Sequence, residues 1–198
     1  MTTWALVPIK SFDRAKSRLS GVLAPPDRER LARDMFEHVL RVLVHSPSVD
    51  HVAVVSDSED ARRAARELEA LALEDVPEAQ SLAIVVDDAL RQLEERGATA
   101  ALVCMSDLPD LRAEDIDSVV RALSESDVVL VPDRLGQGTN VIACAPPTVL
   151  PSCLGNADSL ERHLVRARGL GLTVSVQLSS GIGFDVDHPS DLERFRAR

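Results

Sequence analysis

A mainly parallel α/β sheet, covered by helices on both faces, is the fold class this sequence predicts, and three observations predict it. Short apolar runs rich in Val, Leu and Ala recur at residues 4–9, 51–56, 99–105, 127–131 and 173–177. Longer segments with apolar residues three and four apart separate them, which is the helical period. The runs are apolar at consecutive rather than alternate positions, as strands buried on both faces require. No internal repeat, low-complexity segment or linker breaks the alternation, so residues 1–198 read as one domain.

Each element can be justified in turn. Trp4 to Ile9 forms the first strand and delivers a polar loop from Lys10 to Arg18. Pro25-Pro26-Asp27 reads as a helix start, because proline's missing N–H costs nothing in a first turn. From there to about His45, Leu31, Met35, Val39, Val42 and Leu43 share one face. His51 to Asp57 is a strand with a polar end, and Ser58 caps a helix expected to run through Leu71. Leu82 to Val86 fits either a strand or the start of a helix reaching Arg96. Thr99 to Met105 is a buried strand closed by Ser106-Asp107-Leu108-Pro109. A helix over about Ala113 to Leu123 and a strand over Asp127 to Val131 follow. After a Gly-bearing loop from Pro132 come a strand through Ala145, a helix around Asp158 to Arg168 and a strand from Thr173 to Gln177. Gly181 to Asp187 and a closing helix from Pro189 complete the chain.

Composition narrows the function. A chain of 198 residues, 45% hydrophobic, can bury a full core, and with four Phe, one Trp and no Tyr that core must be aliphatic. A net charge of −10 argues against nucleic acid and anionic membrane as partners. Any anionic substrate must then enter a locally basic pocket. The three cysteines show no metal or redox spacing, which fits a reducing compartment. The first apolar run ends at Ile9, too short for a signal peptide or a span, so the expected location is the cytoplasm. The five histidines lack zinc spacing and read as ordinary surface or partly buried residues.

Ligands of parallel sheets sit beyond the carboxyl ends of the strands. Lys10, Asp57, Asp107, the Gly138-Thr139-Asn140 turn, Asp185 and Asp187 all fall there. Lys10 and Lys16 are the only lysines; every other basic side chain is arginine. A compact ammonium on a flexible stem suits the oxygens of a polyphosphate, a task distinct from arginine's planar fork. Asp107 and Asp185-Val186-Asp187 end apolar segments, and Mg²⁺ takes oxygen ligands from one or two carboxylates plus phosphates. A basic loop facing such acids predicts a magnesium–nucleotide site. No Walker A sequence and no nucleophile elbow is present, which removes P-loop and serine-hydrolase readings.

Taken together, Val7-Pro-Ile-Lys10, Ala15-Lys16-Ser-Arg18-Leu19, Asp107-Leu-Pro109, Asp133 to Asn140, Asp158-Ser159 with His163, and Gly183-Phe-Asp185-Val-Asp187-His-Pro-Ser-Asp-Leu192 resemble the CofC/FbiD guanylyltransferases of coenzyme F-420 biosynthesis. The resemblance spans nearly the whole chain. It implies a nucleotidyltransferase of the glycosyltransferase-A, Rossmann-like type that joins GTP to phosphoenolpyruvate or 2-phospho-L-lactate and releases pyrophosphate. By analogy Asp107, Asp185 and Asp187 hold Mg²⁺. Lys10, Lys16, Arg18 and Asp107 bind the nucleotide, with Lys16 and Asp107 catalytic, and Thr139, Gly155 and Ser159 bind the acid. A homodimer and hand-over of a labile product to the next pathway enzyme are also implied.

Two stretches depart from the family pattern. Ser81-Leu82-Ala83 stands where a Gly-Leu-Asn motif is usual, which bears on guanine recognition. Leu154-Gly155-Asn156-Ala157-Asp158-Ser159 is one residue longer between Gly and Ser, so Gly155 or Asn156 takes the family glycine's place. The Arg- and Ala-rich composition favours phosphoenolpyruvate. Rival readings are a molybdopterin or sugar-phosphate nucleotidyltransferase, and a catalytically silent nucleotide-binding module.

Overall fold

The computed structural model describes residues 1–76 and 81–197. Its strands are β1 (Thr3–Pro8), β2 (His51–Ser56), β3 (Leu71–Glu74), β4 (Ala100–Cys104), β5 (Val128–Pro132), β6 (Thr139–Cys144) and β7 (Val174–Val176). Its α-helices are α1 (Pro25–Val44), α2 (Glu59–Glu67), α3 (Leu82–Glu95), α4 (Ala113–Ala122), α5 (Ser159–Gly169) and α6 (Pro189–Arg196). Two 3₁₀ turns, Phe12–Arg14 and Ser17–Leu19, punctuate the basic loop. Among the described residues no helix is long and apolar enough to cross a membrane.

The strands form one sheet in the order β3-β2-β1-β4-β6-β5-β7. Every pairing is parallel except those of β6, which runs antiparallel to both β4 and β5. Two features of this order place the site. Strand order reverses beside β1, which leaves a crevice beyond the carboxyl ends of β1 and β4. Because β6 is reversed, Val141 pairs with Cys104, and the start of β6 lies at the same edge as the end of β4. Thr139 and Asn140 therefore reach the carboxyl edge from the amino end of their strand.

Side chains alternate across each strand, and the two resulting faces pack on different helices. Ala5, Val7, Val54 and Leu102 meet Phe36, Val39 and Leu40 of α1, the alanines of α2, and Ile116 and Val119 of α4. Trp4, Leu6, Val103 and Leu130 meet Val86, Leu90 and Leu93 of α3 and Ala167 of α5. A third, smaller cluster joins Leu19 of the basic loop, Met35 of α1, Phe184, Val186 and Leu192 of α6.

Most boundaries agree with the sequence expectation, and three details sharpen it. The helix capped by Ser58 ends at Glu67 rather than Leu71, because Glu69 turns the chain in the left-handed region at φ 62°. Leu71–Glu74 then forms β3, parallel to β2 with Ala53 opposite Leu71. Leu68 and Leu71 continue a helical spacing, and no glycine marks the turn, so the sequence pattern hides the break. The segment from Leu82 is a helix, with the Ser81 hydroxyl accepting from the Ile84 N–H at 3.4 Å. On α1 the buried stripe is Ala32, Met35, Phe36, Val39, Leu40 and Leu43, with Leu31 turned toward the third cluster.

Candidate active site

A cleft of about 750 Å³ opens at the carboxyl edge beside β1 and β4, within the range of small-molecule sites. Lys10 and Lys16 enter from the basic loop, Asp107 follows β4, and Asp187 comes from the segment before α6. The loop is drawn in by its apolar residues. Phe12 and Leu19 are buried, while Asp13, Arg14, Ser17 and Arg18 between them are exposed. Lys16 takes a left-handed backbone conformation at φ 55° between the two 3₁₀ turns. Asp185 and Asp187 are placed by the same logic on the other side. Phe184 and Val186 go into the third cluster, so the intervening and following carboxylates face away from it. Leu19 lies in that cluster too, which holds the loop against the acidic segment.

The outcome is a charged knot. The Lys16 ammonium donates to Asp107 Oδ2 at 2.6 Å and to Asp187 Oδ1 at 3.1 Å, and its side chain is only 7% exposed. Arg18, at the rim, donates to Asp187 Oδ2 at 2.7 Å. Burial works to discharge Lys16, but the Asp107 and Asp187 carboxylates outweigh it and hold its pKa above the ordinary value. Burial likewise pushes Asp187 up, and Lys16 and Arg18 overcome it to hold the carboxyl below its usual range. Asp185 has no such partner among the described cations. Burial, then the charges of Asp107 and Asp187, raise its pKa to about 6. The Asn140 side chain, which donates to the Ile182 carbonyl at 2.8 Å, also supports Asp185.

These carboxylates suit a hard divalent cation. Oxygens of Asp107, Asp185 and Asp187 lie within 4.8 Å of one another. That spacing is one that the oxygen ligands of a single divalent cation could take up. Burial is the first cause of the raised pKa of Asp185 and the neighbouring carboxylates the second, and a bound cation would favour its ionised form against both.

The other sequence-predicted residues divide into two sets. Lys10 lines the cleft and is exposed, and Gly155 lines it opposite Leu82. Gly155 has φ 89°, and a Cβ there would stand 3.2 Å from the Leu82 Cβ, so glycine suits both its backbone and its close approach to α3. Asn156 lines the same wall. Thr139 and Ser159, by contrast, are buried, at 4% and 2% exposure, and are not among the described residues that line the cleft. They touch each other: the Ser159 and Thr139 hydroxyl oxygens are 3.3 Å apart.

Sequence reasoning missed two residues here. His163 is fully buried, rather than an ordinary histidine, and contacts both the Cys153 N–H and the Thr139 hydroxyl. Asp75 follows β3 and lines the cleft near Ser81 to Ala83. Among the described residues its Oδ1 has no hydrogen-bond partner, and burial raises its pKa. Recognising β3 would have placed this carboxylate at the carboxyl edge.

Comparison with known proteins identifies the family. Residues 3–195 match the family model described as guanylyl transferase CofC like. A phosphoenolpyruvate guanylyltransferase of Sphaerobacter thermophilus is 39% identical over 195 residues, covering 98% of this chain and 92% of that relative. A 2-phospho-L-lactate guanylyltransferase of Methanothermobacter thermautotrophicus is 32% identical, covering 97% and 83%. Among solved structures, one described as a nucleotide-diphospho-sugar transferase, from Desulfovibrio desulfuricans G20, superposes with a TM-score of 0.83 at 18% identity, covering 98% and 87%. That likeness concerns the fold.

Proposed function

The chain belongs to the CofC family of guanylyl transferases, and from that premise we propose that it transfers GMP from GTP to phosphoenolpyruvate, or to 2-phospho-L-lactate, in coenzyme F-420 biosynthesis. The observation that carries the reading is the meeting of Lys16 with Asp107 and Asp187, from three distant parts of the chain, at one end of the cleft.

The reaction needs little proton chemistry. A phosphate oxygen of the acid, already anionic, attacks the α-phosphorus of GTP; the bond from that phosphorus to the bridging oxygen breaks, and pyrophosphate leaves. No base is required to make the nucleophile, so catalysis reduces to in-line positioning and charge stabilisation. Asp107, Asp185 and Asp187 would hold Mg²⁺, which supplies Lewis-acid stabilisation of the phosphate oxygens. Lys16 is fixed beside them, where an ammonium opposes the charge that develops on the departing pyrophosphate. Lys10 and Arg18 add positive charge along the same wall and rim.

The remaining walls suit the other groups. Asp75, with an acceptor oxygen free of described partners, matches the N1–H and N2–H₂ donors of guanine, which adenine lacks at those positions. Ser81 caps α3 at this end, and Leu82 and Ala83 supply apolar contact. Gly155 brings the loop after β6 close to α3, and the Thr139 and Ser159 hydroxyls, tied to that loop through His163, would serve as donors for the acid. The name of the Sphaerobacter relative supports phosphoenolpyruvate as the acid.

Incubation of the protein with Mg²⁺, each of GTP, ATP and CTP, and each candidate acid tests the reading through pyrophosphate release and the mass of the product. Release with GTP and phosphoenolpyruvate is expected. Binding of GTP with no pyrophosphate for any acid would instead favour a silent nucleotide-binding module.

A further inference from the structure

The hydrogen bonds of His163 fix more than its place in the core. Its Nε2 lies 2.8 Å from the backbone nitrogen of Cys153, which can only donate. A ring nitrogen that accepts carries no proton, so the neutral ring bears its proton on Nδ1. That N–H faces the Thr139 hydroxyl oxygen at 3.2 Å and also the Ser159 carbonyl. The hydroxyls of Thr139 and Ser159 in turn share a bond at 3.3 Å. Two hydroxyls own two protons, and their mutual bond uses one. With His163 supplying a donor to Thr139, the second hydroxyl proton is left for a group outside the pair.

The ring also sits at a junction. It joins the start of β6, the first turn of α5, and the Cys153 end of the loop that carries Gly155 into the cleft. Other contacts brace that loop from outside. Asp87 accepts from the Ser152 N–H at 2.8 Å, and Arg166 donates to the Pro151 and Ser152 carbonyls at 3.0 Å. His163 alone among these links the loop to Thr139.

We propose that His163 is a positioning residue for the acid substrate: it locks the Thr139–Ser159 pair in one donor arrangement and ties it to the Gly155 loop. The inference rests on the reading that Thr139, Gly155 and Ser159 receive the phosphorylated acid. Nothing in it touches the metal or the triphosphate, so its effect falls on one substrate only.

Steady-state kinetics of His163→Phe and His163→Asn provide the test, with phosphoenolpyruvate and GTP varied separately. Phe keeps ring volume and loses both bonds; Asn restores a donor near the Nδ1 position. We expect the KM for phosphoenolpyruvate to rise about tenfold or more in His163→Phe, the scale of a lost buried hydrogen bond. The KM for GTP should hold, and His163→Asn should recover most of the loss. A parallel rise in both KM values, an unchanged acid KM beside a lowered Tm, or an Asn variant no better than Phe would overturn the proposal. Should the Phe variant fail to fold, ¹⁵N spectra of the wild-type ring decide. A proton on Nδ1, with shifts on adding phosphoenolpyruvate to the GTP complex, is expected; a proton on Nε2, or no response, would overturn it. Absence of pyrophosphate release by the wild type with every acid would instead count against the proposed reaction, independently of the ring's tautomer.

Discussion

At one end of the cleft Lys16, Arg18, Asp107 and Asp187 are charged and paired; Thr139, Ser159 and His163, joined through Cys153 to the loop that carries Gly155, are neutral and buried outside the cleft lining. The charged end is assembled from residues far apart in sequence, and an apolar cluster holds it: Leu19, Phe184 and Val186 bury while their polar neighbours face the cleft. The neutral end is more local, drawn largely from β6, the loop after it and α5, and hydrogen bonds hold it. The difference teaches how the work divides. Opposed charges tolerate small changes of geometry because Coulomb forces fall slowly with distance. Hydroxyl donors do not, since hydrogen bonds weaken steeply when misaligned, so this end needs a rigid strut.

The largest effects are expected at the charged end. Lys16→Ala should lower turnover by about 10²–10³-fold, as for a lost oxyanion donor. Asp107→Asn should lower it further, since it removes both a proposed metal ligand and the nearest partner of Lys16. Pyrophosphate-release rates at saturating substrates check both; an undiminished rate in Lys16→Ala would break the contrast between the two ends.

Next comes the apolar support of that end. Leu19→Ala should cost about 2–5 kcal/mol of folding stability, as for other buried leucines, and should also weaken Mg²⁺-dependent GTP binding. Denaturant unfolding together with calorimetric titration would measure the pair. Loss of stability with GTP affinity intact would mean that the cluster does not position the loop.

At the neutral end the prediction is a pH dependence. Burial lowers the pKa of His163 to about 4 from an ordinary 6.5. Between those values the unfolded chain binds more protons, so the stability contribution is full above about 6.5 and declines as pH falls toward 4, by roughly 3 kcal/mol. Unfolding free energies measured across that window should slope less in His163→Asn than in the wild type. Equal slopes would show that the ring is not held neutral by burial.

The smallest expected effect lies at the base end. Asp75→Asn presents an amide donor as well as an acceptor and should reduce the preference for GTP over ATP by about tenfold, one hydrogen bond's worth. The ratio of kcat/KM values measures it, and an unchanged ratio would assign base selection elsewhere.

How far the sequence made this legible follows the same division. Lys10, Lys16, Asp107 and Asp187 stand out because charge interrupts apolar runs at strand ends, and all four line the cleft. Six of the seven strands and the helices over residues 25–44, 113–122, 159–169 and 189–196 follow from periodicity. β3 escaped because its short apolar run, Ala70 to Leu73, follows on from the helical spacing before it, and the turn at Glu69 uses no glycine. With β3 went Asp75. The reversal of β6 leaves no mark in its sequence, since Val141 to Cys144 are apolar whichever way the strand runs. His163 escaped for a different reason: a lone histidine on a helix says nothing of whether both ring nitrogens are satisfied. The N–H that Cys153 donates to the ring comes into place only once the loop is folded over α5.

The central claim is that Lys16 and the aspartates at positions 107, 185 and 187 converge on one metal-bound triphosphate. Electron paramagnetic titration of Mn²⁺ in the presence of GTP tests it most directly, on the wild type and on Asp107→Asn and Asp185→Asn. Protein-bound Mn²⁺ is expected with the wild type, and its loss in both variants. Mn²⁺ and GTP binding equally well to all three proteins would contradict it.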